Sequence, residues 1–473
     1  MKKFLLDHAT KKPISYHMPG HKGSAIFKRY GYGHFLENFV DCDVTEIPGA
    51  DNLFQAEGII KDVQDRYAKL YDVKKAYLQI NGTSGGIIAS ILATVPPGKK
   101  LIMARNCHKS VFNALTLGNI EPIYAHPDYI SEYGIMGSIS PAEIRKLLVE
   151  NPDAESVILP SPNYYGICSD IKAIADEVHK FGKVLIIDQA HGAHLKFFHK
   201  YGQGSGMPMA AEDCNADIAI NSIHKTLASL TQSAVLNLNS DRVDKYVLED
   251  KLQAIESTSP SYVLMSFLDI NAEILEKHGS EVMREWKENI LWFYDSVKEI
   301  PGLEVMIVKD HMDITKINLD MGAYGIGGAQ LEAKLMEYNI FSELYTGDVL
   351  MLMTGIGNTR DNLEKTLDAL KKIATEAKIS EGQKHKREQG GQNFKVPDAG
   401  KLHAVPHYKQ FVKLESAKGK ICAGSIIPYP PGIPFVCPGE ELTNEIITYI
   451  KTLRDAGEKV IGVNDLGQVL VGK

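Results

Sequence analysis

"ADIAINSIHKTLAS", residues 216–229, passes from a short apolar run directly into a histidine and a lysine framed by small hydroxyl residues. The run suits a buried strand of a sheet, and Lys225 stands just past its carboxyl end. In α/β proteins that is where side chains point into the ligand crevice. Lysine is also the residue that makes Schiff bases with carbonyl compounds. With many lysines in the chain, Lys225 alone does not separate a solvated charge from a chemical one.

Working outward, the same pattern recurs. "AYLQI" (76–80), "KLIMA" (100–104), "IEPIYA" (120–125), "ESVILPSP" (155–162) and "KVLIIDQA" (183–190) are further short apolar runs. Helical segments lie between several of them. Ile59, Ile60, Val63, Tyr67 and Leu70 recur at helical spacing, and "SGGIIASILATV" (84–95) follows a Gly-rich turn. "SPAE" at Ser140–Glu143 supplies an N-cap, a first-turn proline and a capping-box acid. Strands alternating with helices predict an α/β fold over about 60–240, with a mostly parallel sheet covered on both faces.

Beyond it, long amphipathic helices are expected at 281–300 and 358–378, with strands "LEVMIV" and "ITKINL" between them. The stretch 379–400 is polar, charged and Gly-rich and reads as a linker or mobile loop. A last helix falls near "NEIITYIKTL" (444–453). The expected organisation is an N-terminal arm (1–55), a large domain (56–300) and a smaller α+β C-terminal region (301–473) containing the linker. The arm is too irregular to form a core of its own.

The 473 residues carry a net charge of −7, which offers no general attraction for nucleic acid. No apolar stretch approaches the ~20 residues of a membrane span. Asp7 and His8 end the first apolar run too early for a signal peptide, so a cytoplasmic protein is expected. The six cysteines form no C-x-x-C pair, so neither a metal site nor a disulfide framework is indicated.

Asp188 changes the weight of Lys225. It follows four apolar residues, and a carboxylate there needs a cationic partner. Asp188 and Lys225 each end a predicted strand of one sheet. Pyridoxal phosphate needs that pair: a lysine to hold its aldehyde, and a carboxylate to keep its pyridine nitrogen protonated. "NGTSGG" (81–86), between a strand and a helix, offers backbone N–H groups to a phosphate, and Ser222 and His224 flank the lysine as further contacts. His108, after "KLIMA", is a candidate to stack on a flat ring.

At this point "YHMPGHKGS" (16–24), "EIPGADNL" (46–53), "NGTSGG", "NCHKS" (106–110), "SPNYYG" (161–166), "DQAHGAH" (188–194), "SIHKTLASLTQ" (222–232) and "YPPGIPFVCPGE" (429–440) resemble the pyridoxal-phosphate-dependent ornithine/lysine/arginine decarboxylases of fold type I. The order is the same and the likeness covers nearly the whole chain. Its size is similar to the short branch without the extra N-terminal domain. The resemblance implies an aspartate aminotransferase-like large domain and decarboxylation of a basic L-amino acid. Arginine is favoured over lysine or ornithine, and the amine product is a polyamine precursor.

The same resemblance assigns Lys225 to the cofactor aldehyde and Asp188 to the ring nitrogen. Ala190 and His108 would lie on the two ring faces. Ser84, Gly85, Ser222 and His224 would hold the phosphate, and His191 would sit near the reacting carbon. Thr258 would lie on the substrate side. Glu440 would meet the substrate's distal cation, the alternative for it being a helix-start acid. "MPGHK" would reach a dimer partner, "EIPGADNL" would approach the neighbouring subunit's site, and the prolines of "YPPGIP" would stiffen the loop that places Glu440. The sequence departs from the family pattern at Gln189, where Glu is usual, and at Gly85, where a hydroxyl is usual. An aminotransferase, a carbon–carbon lyase or a non-catalytic relative remain alternatives; a nucleotide-binding module lacks its G-K-[ST] ending.

Overall fold

The computed structural model describes residues 1–308, 311–377, 402–429, 434–455 and 459–473. Seven strands form the main sheet: β1 (Lys75–Gln79), β2 (Lys100–Ala104), β3 (Glu121–Ala125), β4 (Ala154–Pro160), β5 (Val184–Asp188), β6 (Ile218–Asn221) and β7 (Ala234–Leu238). Their order is β1-β7-β6-β5-β4-β2-β3. Every pairing from β6 across to β3 is parallel, and β7 runs antiparallel to both its neighbours. The chain between β6 and β7 holds only a four-residue helix at Ile223–Thr226, too little to cross over the sheet, so the strand returns antiparallel. That turn carries Lys225.

Helices α1 (Ile59–Tyr71), α2 (Gly82–Thr94), α3 (Lys109–Gly118), α4 (Pro141–Glu150) and α5 (Ile171–Lys180) intervene between or precede these strands. α4 starts as its sequence predicts, with Ser140 Oγ accepting from the Glu143 N–H at 3.2 Å. β5, β6 and β7 are buried along their whole length, which is why they read as unbroken apolar runs rather than alternations.

α6 (Lys245–Ile255) leads to α7, which runs from Tyr262 to Val297 and begins well before the helix expected at 281–300. Gly279 reads as an interruption in sequence. In the fold it makes room for the Tyr201 ring, whose hydroxyl donates to the Leu275 carbonyl, so the helix continues past it.

A second sheet follows, antiparallel throughout, in the order β8 (Glu304–Val305), β9 (Lys316–Asp320), β11 (Val349–Met353), β10 (Leu344–Thr346). Helices α8 (Gly328–Glu337) and α9 (Arg360–Ala377) accompany it. The C-terminal part contains α10 (Asn444–Asp455) and two antiparallel strand pairs, Lys409–Lys413 with Gln468–Gly472 and Ile427–Tyr429 with Lys459–Ile461. The expected linker at 379–400 and the centre of "YPPGIP", residues 430–433, lie outside the described residues.

The N-terminal "MPGHK" stretch packs against its own chain. Ile14–Ser15 pair in parallel with Ile340–Phe341, and the buried Tyr16 hydroxyl meets Thr366 Oγ1 at 2.9 Å. The Gly20 N–H donates to the His224 carbonyl at 2.6 Å, and the Gly20 carbonyl accepts from Gly357 N–H at 3.0 Å. The segment is wedged between the Lys225 turn and the loop after β11.

Candidate active site

Asp188 closes β5 and Lys225 follows β6, the neighbouring strand, whose Ile220 lies opposite Asp188. Both open onto a cavity of about 990 Å³. Ala190, His191, Ser222 and His224 line it as well, with Ser84 and His108. Eight of the eleven residues singled out from sequence thus line one space; Gly85, Thr258 and Glu440 do not.

Lys225 Nζ lies 3.0 Å from His191 Nε2, while His191 Nδ1 is buried with no hydrogen-bond partner. The His191 ring tilts against Tyr164, centroids 4.7 Å apart. Burial pushes the Lys225 ammonium below its ordinary value; Asp188 and Glu343 oppose that shift and Lys316 adds to it. Burial raises Asp188, with Lys225 and the Ala190 N–H (3.1 Å) pulling the other way. His191 is driven well below the usual imidazole range by burial, then by the Lys225 and Lys316 cations. Burial likewise lowers His108 to about 3 and His224 to about 4. The site therefore presents neutral imidazoles around one amine and one acid.

The first turn of α2 faces the same space. Gly82 has φ +66, in the left-handed region that favours glycine. Thr83, which sequence reasoning passed over, lines the cavity, and its hydroxyl meets Ser222 Oγ at 3.1 Å. Gly85 sits one turn in and faces the other way: a Cβ there would contact Asn81, Ile255 and Glu256. Its packing role accounts for the missing hydroxyl. Gln189 is buried and satisfied, donating to Glu212 at 2.8 Å and to Asn221 at 2.9 Å, so this departure belongs to the core.

Thr258 is exposed, in the turn before α7, and lies outside the cavity of its own chain. Glu440 is fully buried and does not line the cavity. Its oxygens accept from the Tyr124 hydroxyl at 2.6 Å and the Cys437 N–H at 2.7 Å, with Arg105 Nη2 at 3.8 Å. No helix starts at Glu440 either; α10 begins at Asn444. A carboxylate with both oxygens engaged inside the protein is placed as an anchor between the C-terminal part and the main sheet.

Arg105, missed from sequence, is the other half of that anchor and does line the cavity. It donates to the Pro434 carbonyl at 2.8 Å and to the Phe435 carbonyl, and lies over the Tyr124 ring at 4.9 Å. Its signal was present: it directly follows β2, a charge at the end of an apolar run, much as Asp188 closes β5.

Two family profiles match the chain: the Orn/Lys/Arg decarboxylase major domain over residues 1–318 and the Orn/Lys/Arg decarboxylase C-terminal domain over 385–466. An arginine decarboxylase of Bacillus subtilis strain 168 is 31% identical over 477 residues, covering 98% of this chain and 94% of the relative. A lysine decarboxylase of Pseudomonas aeruginosa is 24% identical over 61% of this chain and 41% of the relative. Among solved structures, the constitutive lysine decarboxylase of E. coli superposes with a TM-score of 0.77 at 20% identity, covering 96% of this chain and 79% of the other. Serine palmitoyltransferase of Sphingomonas wittichii gives 0.59 at 14% identity, over 77% and 86%. These two structures share the fold.

Proposed function

The chain belongs to the Orn/Lys/Arg decarboxylase family, and from that premise we propose that arginine is its substrate and that Lys225, Asp188 and His191 carry the reaction. The protein is a fold type I, pyridoxal-phosphate-dependent decarboxylase of a basic amino acid. One observation supports the residue roles above the others: Asp188 and Lys225 end adjacent strands, open onto one cavity, and bring His191 into hydrogen-bond contact with the lysine. Arginine is favoured because relatives bearing that name are 31% identical along 98% of this chain, against 22% over 96% for relatives named lysine decarboxylase.

The residues present fit the cofactor. A buried acid, an amine and a helix N-terminus face one space, and His191 brings a buried nitrogen without a partner to its wall. Lys225 would hold the aldehyde carbon and yield it to the substrate amine. Asp188 would hold a proton at the pyridine nitrogen, since a buried carboxylate is stabilised by a cation opposite it. Ser84, Ser222, His224 and the N–H groups of the α2 first turn, Gly85 included, would hold the phosphate. His108 and Ala190 would flank the ring. When bound, the cofactor supplies an electron sink for the pair left as the Cα–carboxylate bond breaks. Lys225 and His191 share one hydrogen bond, so the proton delivered to the substrate carbon has two adjacent resting places. The net reaction consumes one proton and releases CO2 and an amine.

The proposed assembly is a homodimer. Phe39, Val40, Val44 and Ile47 are exposed along one N-terminal stretch, and Thr258 can meet a substrate only if a second copy brings it to a cavity. Sedimentation of a fully active monomer would overturn this. No helix among the described residues is long and apolar enough to cross a membrane. The proposed place of action is the cytoplasm, with the amine product serving polyamine synthesis. The deciding assay is parallel incubation with arginine, lysine and ornithine, quantifying CO2 and amine. A higher kcat/KM for lysine or ornithine would refute the arginine assignment, and a requirement for a keto acid would indicate transamination.

A further inference from the structure

Thr226, His194, Thr315, Asp313 and Lys316 have no solvent exposure and form one continuous polar chain behind the cavity wall. Lys316 Nζ donates to the His191 carbonyl and to Asp313 Oδ2 at 2.6 Å. Asp313 Oδ2 lies 3.0 Å from His194 Nε2, with Thr315 Oγ1 also 3.1 Å from that nitrogen. His194 Nδ1 then meets Thr226 Oγ1 at 3.1 Å. The chain begins on the segment that carries His191 and ends on the residue after Lys225.

We propose that Lys316, with Asp313 and His194, is a positioning unit that fixes the His191 segment and the Lys225 turn relative to each other; the proposal rests on Lys225 being the cofactor lysine. A buried Lys–Asp pair carries a desolvation cost that its mutual attraction offsets only with good geometry and further hydrogen bonds, and apolar side chains often serve stability as well. What apolar residues do not supply is a directed bond to a carbonyl at one end and to a hydroxyl at the other. His191 and Lys225 both lie past their strand ends, and Asp313 and Lys316 come from a different sheet, at the start of β9, to meet His194 on the His191 segment. They brace the two loops from outside the main sheet.

Charge adds a second effect. The Lys316 cation disfavours protonation of both Lys225 and His191. Asp188 and Glu343 act on Lys225 in the opposite sense, Asp313 does so on His191, and His108 joins the cations in disfavouring a charge on His191. The net shift is downward, toward the uncharged amine that can close on a carbonyl.

The test uses holoenzyme. In wild type, borohydride reduction and peptide mapping locate the cofactor-bearing lysine; a label elsewhere than Lys225 removes the underlying reading, independently of Lys316. With the label on Lys225, Lys316→Met is expected to lower kcat about tenfold or more while KM stays within about twofold, since reacting groups are displaced but substrate contacts are not. The pH midpoint of the bound cofactor's visible absorbance should rise by about one unit as a like charge is removed. Where that variant does not fold, Lys316→Met/Asp313→Asn removes both buried charges together and should show the same fall in kcat. At the other end, Thr226→Ala should lower kcat and Thr226→Ser should retain most of what alanine loses. A folded Lys316→Met or double variant with wild-type kcat and midpoint, or equal losses in the two Thr226 variants, would reduce the network to a structural role.

Discussion

Gly20→Ala is the sharpest test of how the N-terminal segment serves the site. Gly20 has no positive φ, so alanine meets no conformational objection there; the obstacle is space. A Cβ would stand 2.6 Å from Thr226 Cα and 2.7 Å from Leu227 N, with the Thr226 carbonyl carbon closer still. All three atoms are backbone, in and just after the turn that carries Lys225. Ordinary contact begins near 3.4 Å, so one backbone must retreat by close to 1 Å. The segment cannot retreat alone, because the Gly20 carbonyl is in turn packed against Gly355, where an added Cβ would lie 2.6 Å from it. The displacement is shared with the Lys225 turn. Forcing a methyl into such a contact costs about 1–3 kcal/mol of stability, and a shift of about 1 Å in a reacting group lowers turnover about 100-fold. The assay is kcat per bound cofactor together with thermal unfolding, with Gly33→Ala as the control in the same arm, where the nearest atom is a side-chain carbon at 3.8 Å. Wild-type kcat and melting temperature in Gly20→Ala would refute the argument that this segment sets the position of Lys225.

Lys225→Ala should abolish turnover and the borohydride-fixed label while retaining cofactor affinity through the phosphate contacts; retained turnover would assign the amine elsewhere. Asp188→Asn should keep the fold and lose most activity, measured as kcat, because the amide cannot stabilise a protonated ring nitrogen; near-normal turnover would mean another acid serves the ring. Glu440→Gln should lower stability by about 1–3 kcal/mol by leaving Arg105 and Tyr124 without their anion, with KM changed less than about twofold; a large rise in KM at unchanged melting temperature would restore a substrate contact. Among the described residues, five histidines, His21, His108, His191, His194 and His224, have folded values below their unfolded value, against three carboxyls raised by burial, Asp188, Glu256 and Asp269. A depressed histidine stabilises the fold above its unfolded value near 6.5, and that contribution is lost as pH falls toward the folded values of about 3 to 4. Denaturant titrations from pH 7 down to pH 4 should therefore show falling stability; a flat or rising profile would contradict the buried neutral imidazoles.

The strands, the α2 turn, the Ser140 cap and the placement of Asp188 and Lys225 at strand ends were legible in sequence, because each depends on neighbours a few residues away. Apolar runs form strands, glycine at a tight turn admits an anion, and a charge directly after such a run marks the crevice. The family motifs added the cofactor and the reaction class. Reading failed where the partner is distant. Nothing local says that β7 turns back beside β6 or that Gly279 admits a tyrosine ring within a continuing helix. Glu440 looked like a charge aimed at a substrate because its sequence neighbours are apolar; its partners, Tyr124 and Arg105, lie more than three hundred residues away. Asp313 and Lys316 look like ordinary loop polars in "HMDITKINL", yet the fold buries both completely behind His191. The sequence by itself determined which side chains are available for the chemistry and in which layer they lie. Tertiary structure alone decided which carboxylate is desolvated and paired and which backbone braces the reacting lysine, because burial, and with it the energy of every charge, is set by packing between segments that the chain order keeps far apart.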